Sequence, residues 1–240
     1  MVMPIKFALC GKAGAGKDLV FAMIKAILNK KLNKSHNKID LEYILQMAKT
    51  NEDWLNIELG FINERFANPI KYAIAGFLGC PLEVLQNQEI KKQTLPSAYF
   101  TANKTKVTIR EMHQIIGDAM KDAFNMDIFA LSLIERCNKQ DTNNITVLDL
   151  RFPNEAAVLR NNGFTIIKIF NETNTVDAGL HNSEILIDQI EYDYYLRNDG
   201  KSLIKLFARV TYMCYCLGWI DDKTYLELNN TYTELKEEYD

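Results

Sequence analysis

A chain of 240 residues, 48% of them hydrophobic and 25% charged, carries enough apolar material for one sizeable α/β core with room for an inserted lobe. A formal net charge of −3 and a pI of about 5.7 argue against a protein that coats nucleic acid, although a small nucleotide needs only a local cluster of positive charge. The five cysteines (Cys10, Cys80, Cys137, Cys214 and Cys216) are scattered, no secretory leader precedes the first apolar run, and no apolar segment is long enough to span a bilayer, so reduced thiols in a cytoplasm and no membrane partner are expected.

In chain order, Pro4 to Cys10 is a short apolar run that reads as a strand, Gly11-Lys-Ala-Gly-Ala-Gly16-Lys17-Asp18 follows at once, and Leu19 to Leu28 has helical spacing. A strand, a glycine-rich turn and a helix form the setting that a phosphate-binding P-loop requires. Gly11, Lys12, Ala13, Gly14, Ala15, Gly16, Lys17 and Asp18 are therefore the candidate cradle for ATP phosphates. Backbone amides and the positive helix end would surround the anion, and Lys17 would reach the outer phosphates. Where the pattern GxxxxGK[ST] has a hydroxyl for magnesium, this chain has Asp18, itself a candidate Mg²⁺ ligand. The plainer alternative is a glycine-rich turn with a chance lysine.

Lys25, Lys30, Lys31, Lys34 and Lys38 make a basic run that reads as a solvated helix end and loop, and 41–59 has an amphipathic helical pattern. Phe61 to Ala67 can be a second strand. Asn68 is then expected as the N-cap of a helix from Pro69 to Leu78, ended by Gly79, with Lys71 in its first turn. Residues 86–107 are polar and weakly periodic and are expected as an excursion or flap outside the core. Thr108-Ile-Arg-Glu111 reads as a capping box, opening a helix on which Arg110, Gln114 and Asp118 share one face, either toward a ligand or toward solvent.

Ile145 to Leu148 is a buried type of strand ending in Asp149, with Arg151-Phe-Pro-Asn-Glu155 at the carboxyl edge, where open α/β sheets bind ligands. Asp149 fits a Walker B-like carboxylate near magnesium; alternatively it pairs with Arg151 and caps the turn. A helix closed by Gly163, the strand Phe164 to Phe170, a polar loop with His181 and a short helical piece after Ser183-Glu184 follow. The strand Tyr192 to Arg197, the turn Asn198-Asp199-Gly200, the helix Ser202 to Leu217 ended by Gly218 and a final charged helix complete the chain. Strands alternating with helices imply an α/β fold with a mostly parallel, five-stranded sheet flanked by helices. A single domain over 1–240 is expected, with its core in about 4–28, 61–85 and 108–218 and a C-terminal helix over 219–240.

Taken together, Gly16-Lys17-Asp18, Ala67-Asn-Pro-Ile-Lys71, Arg110 to Gly117-Asp118, Asp149-Leu-Arg151-Phe-Pro-Asn-Glu155 and Asn198-Asp199-Gly200 occur in an order that resembles the bacteriophage deoxynucleoside monophosphate kinases. The match runs from Lys6 to about Leu206, and departs from the family at Leu19, where Thr or Ser is usual, and at Asp118, where Thr is common. The resemblance implies a three-layer P-loop NTPase fold with an inserted flap or lid, and transfer of the γ-phosphoryl group of ATP, with Mg²⁺, to a deoxynucleoside monophosphate. It also implies a homodimer, and a host's cytoplasm if the source is a phage. On this reading Lys17, Arg151 and Arg110 are catalytic. Lys71, Arg110, Gln114, Asp149, Arg151 and Glu155 bind substrate, and Asp18 and Asp149 are candidates for the metal. A P-loop kinase for another small phosphorylated acceptor, of the phosphomevalonate or dephospho-coenzyme A type, and an ATP-binding regulatory module that transfers nothing, remain as alternatives.

Overall fold

Side chains alternate between the two faces of the sheet along the first strand, β1 (Lys6–Cys10). Phe7 and Leu9 enter one apolar cluster and Ala8 and Cys10 face the other side, all four fully buried. A strand covered on both faces belongs at the centre of a parallel sheet. In a computed structural model of the chain, which describes residues 4–29, 60–87, 89–99, 103, 105–140, 144–171 and 186–239, that is where β1 lies. The five strands run in the order β2-β3-β1-β4-β5, with β2 at Phe61–Glu64, β3 at Asn144–Leu150, β4 at Thr165–Asn171 and β5 at Tyr194–Asn198. Every pairing is parallel, and Cys10 is level with Leu150 on one side and Lys168 on the other.

The described residues form two compact units, 1–64 with 137–240, and 65–136. In the first unit, helix α1 (Lys17–Leu28) buries Val20, Phe21, Met23, Ile24 and Ile27 against Phe7, Leu9, Ile167 and Ile169. Two later helices, Leu203–Cys216 and Asp222–Tyr239, complete this face with Phe207, Val210, Met213 and Leu228. The Phe7 ring meets Phe61 edge-on at 6.0 Å and Trp219 at 5.1 Å, so aromatic contacts tie two distant segments of the chain to β1. The helix Pro153–Asn161 packs on β4 from the opposite face, through Ala156 and Leu159.

In the second unit, helix α2 (Asn68–Leu78) packs on helix α3 (Ile109–Ala123). A methyl group at Gly117 would lie 3.4 Å from Ile70 Cδ1, an ordinary contact distance, so the two helices cross closely there. The expected capping box is present: Thr108 Oγ1 accepts the Glu111 amide at 3.2 Å, and Glu111 Oε2 accepts the Thr108 amide at 2.7 Å. The Thr108 amide and the Thr108 hydroxyl, which also donates to Glu111 Oε2 at 2.8 Å, hold the Glu111 carboxyl below its ordinary range. Two boundaries between Phe61 and Leu78 differ from the sequence reading. Strand β2 stops at Glu64, and the residue at the cap of α2 is Ala67. The turn closed by the Asn68 amide on the Arg65 carbonyl already has helical dihedrals at Ala67, so Asn68 falls inside the helix. The stretch 86–107, expected outside the core, also contributes buried Leu95 and Val107, whose backbones meet at 2.8 Å. Both expectations at 41–59 and at His181 to Glu184 lie outside the described residues. No helix among the described residues is long and apolar enough to cross a membrane.

Candidate functional site

The order β2-β3-β1-β4-β5 reverses direction at β1: the chain leaves β1 toward β2 at one edge, and leaves β4 toward β5 at the other. Strands whose onward connections diverge leave a crevice at their carboxyl ends. Gly11 to Gly16 lie at that edge, directly after β1, and a cavity of about 150 Å³ opens between Gly11, Lys12 and Ala15 of the loop and Ile169 to Asn171 of β4.

The loop is shaped by close approaches. A Cβ on Gly11 would lie 2.6 Å from the Ile169 carbonyl oxygen and 3.1 Å from the Ala15 methyl, so the end of β4 leaves no room for a side chain. Gly16 has φ 94°, a left-handed conformation that L side chains rarely adopt, and a Cβ there would lie 2.7 Å from Asn198 Nδ2. From the first turn of α1, Lys17 folds back across the loop and its Nζ donates to the Gly11 carbonyl at 2.6 Å and to the Lys12 carbonyl at 3.2 Å. Asp18, the next residue, is exposed.

Around the loop, Lys12 pairs with Asp188 at 3.0 Å. Lys168 reaches the same carboxylate at 3.6 Å and the Asp188 carbonyl at 3.2 Å. Burial pushes the Cys10 thiol beneath the loop up to about 11, despite the charges of Lys168 and Lys17, so at neutral pH it is a packing group and not a nucleophile. On the neighbouring strand, Asp149 is half-buried near the carboxyl end of β3 and Arg151 is exposed just beyond it. Glu155 is buried, and its Oε2 accepts the amides of both Arg151 and Phe152 at 3.2 Å, so it holds the backbone on which Arg151 is mounted. Glu155 thus caps this turn through the backbone, whatever the side chains of Asp149 and Arg151 engage.

The first unit thus brings together Gly11 to Asp18, Asp149, Arg151 and Glu155. Lys71, Arg110 and Gln114 belong to the second unit, Lys71 half-buried on α2 and the other two exposed on α3. There they share a cationic neighbourhood with Lys91. Burial pulls the Lys91 ammonium below its ordinary range, and the Arg110 and Arg65 charges add to the effect. Lys91 and Arg65 escaped the sequence reading because Lys91 sits in an irregular polar stretch with no period to place it. Lys168 and Asp188 escaped it too, and Asn198 was read only as part of a turn, since nothing local marks a residue as neighbour to a loop more than a hundred positions away.

His113 lies in the same neighbourhood. Its Nδ1 donates to the Ile109 carbonyl at 2.9 Å, and its Nε2 is buried without a partner among the described residues. Burial lowers its pKa from the ordinary 6.5; the Ile109 bond opposes this, and the Lys91 and Lys71 charges add to it. The folded chain therefore resists a proton that the unfolded chain accepts. Stability from this residue is full above pH 6.5 and is lost as pH falls from 6.5 toward the depressed folded value. The thermal midpoint of the wild type is expected to drop more steeply between pH 6.5 and about 5 than that of His113→Gln. Equal slopes would mean that His113 takes up its proton as readily when folded.

Among the described residues, no group of three or more His, Cys, Asp or Glu side chains is placed to hold a metal ion by itself. Asp149 and Asp18 are hard oxygen donors of the kind that hold Mg²⁺ together with water and phosphate oxygens, and a cation so shared needs no all-protein cage. In comparisons with known proteins, no family model matches the chain and no curated protein matches it.

Proposed function

We propose that the protein is a P-loop kinase that transfers the γ-phosphoryl group of ATP to a deoxynucleoside monophosphate, as the bacteriophage enzymes it resembles do. The observation that carries this reading is Lys17, folded across a glycine-shaped loop at the carboxyl edge of the central strand. A lysine held on the loop's own carbonyls is pre-positioned to exchange them for phosphate oxygens. Phosphoryl transfer asks for positioning and charge neutralisation more than for covalent chemistry. The amides between Gly11 and Lys17 bind the donor phosphates. Lys17 neutralises their outer oxygens, and the Arg151 fork grips the transferring group or the acceptor phosphate. Asp149 or Asp18 would hold Mg²⁺, which would supply further neutralisation of the phosphate charge.

Lys71, Arg110 and Gln114 take the acceptor, with Lys91 and Arg65 adding to the positive potential around them. The acceptor's phosphate is already anionic, so no strong general base is required, and a neutral His113 is consistent with that. The reading is tested by supplying ATP and Mg²⁺ with a panel of deoxynucleoside monophosphates and measuring ADP formation. Turnover dependent on the nucleobase is expected. ADP formation with base-free phosphorylated acceptors alone would favour the small-acceptor kinase. Tight ATP binding with slow ATP loss for every acceptor would favour a regulatory module.

A further inference from the structure

Asn198 ends β5 and is almost fully buried, an unusual place for a carboxamide unless all of its polar atoms are used. Its Nδ2 donates to the Ala15 carbonyl at 3.0 Å, across 183 positions of sequence, and its Oδ1 accepts the Gly200 amide at 3.1 Å. The two bonds fix which end of the carboxamide faces the loop, since only the nitrogen can donate to a carbonyl. The turn that carries it is anchored in its own right. Arg209 donates to the Arg197 carbonyl at 2.9 Å and pairs with Asp199 at 3.2 Å, clamping the residues on either side.

The Ala15 carbonyl belongs to the peptide that leads into Gly16. That peptide is planar and trans, so its C=O and the Gly16 N–H point in opposite directions. Holding the carbonyl on Asn198 turns the Gly16 N–H away from β5, and the missing Cβ of Gly16 leaves the space that Nδ2 occupies. The side chain and the glycine are complementary: the one fits only because the other has no side chain. We infer that Asn198 is a positioning residue for the phosphate loop, fixing the Ala15–Gly16 peptide so that its N–H faces the anion. The inference rests on the P-loop reading, and deepens it by assigning donor-phosphate affinity to a residue at the far end of the chain.

The test uses the full chain, Mg²⁺ and inorganic tripolyphosphate, which has the donor's phosphates and no base, with binding measured by calorimetry. Asn198→Ala, which removes the donor without adding charge, is expected to weaken tripolyphosphate about tenfold and to raise the KM for ATP by a similar factor, while the acceptor KM stays at the wild-type value. Asn198→Asp keeps the shape and sets two acceptors against each other, and should lose at least as much. A merely structural role would lower the thermal midpoint and leave the affinity of the folded variant unchanged; wild-type affinity in folded Asn198→Ala overturns the inference. A loss confined to Asn198→Asp also overturns it, since charge repulsion alone would explain that pattern. Should Asn198→Ala fail to fold, Asn198→Ser is held to the same criteria. Lys17→Ala separates the two levels. If it loses tripolyphosphate and folded Asn198→Ala does not, only the inference falls. If the wild type binds no tripolyphosphate, or Lys17→Ala binds it equally well, the P-loop reading falls and the inference with it.

Discussion

Lys17→Ala is expected to lower kcat by about a hundredfold or more, with the fold intact. The reason is a comparison of magnitudes. Lys17 donates to the Gly11 and Lys12 carbonyls, and the loss of such bonds at a partly exposed loop costs on the order of 1 kcal/mol of stability. Against phosphates in a crevice, the same ammonium faces developing negative charge, and a hundredfold change in rate corresponds to about 2.7 kcal/mol of transition-state stabilisation. The substitution should therefore show its effect in kcat with only a small shift in the thermal midpoint. Full turnover by a folded Lys17→Ala protein would remove the loop from the chemistry.

Arg151→Lys should lose roughly 1–3 kcal/mol in transition-state stabilisation, read as kcat/KM for the acceptor monophosphate, with little change in the thermal midpoint. Lysine retains the charge and loses the planar fork that grips two phosphate oxygens at once. The structure bears on this expectation at the backbone: Glu155 Oε2 accepts the Arg151 and Phe152 amides, bonds that lysine at 151 retains. A large fall in the midpoint with near-normal kcat/KM would exclude Arg151 from the site.

Local interactions left clear marks in the sequence. The strand before Gly11, helix α1, the Thr108–Glu111 box and the Ser202 cap, whose hydroxyl accepts the Lys205 amide, are each set by residues within a few positions of one another. Periodicity also separates the two faces of β1, since successive side chains on a strand must alternate. Where two local rules competed, as at Ala67 and Asn68, the preference of asparagine for a cap yielded to a turn that had already begun the helix. The candidate site was legible only in part. The loop, Lys17, Asp149 and Arg151 could be read from spacing because they sit at ends of elements, where a parallel sheet exposes its carboxyl edge. Strand order could not, because the same alternation of strands and helices is compatible with several orders. It is the placement of β1 between β3 and β4 that sets the crevice beside Gly11. The roles of Asn198, Lys168 and Asp188 depend on that order too: β4 and β5 must lie beside β1 before Lys168 can approach the loop or Asn198 can reach Ala15. Such contacts join segments distant in sequence through the register of hydrogen-bonded strands, and register depends on the partner strand as much as on the residues that make the contact.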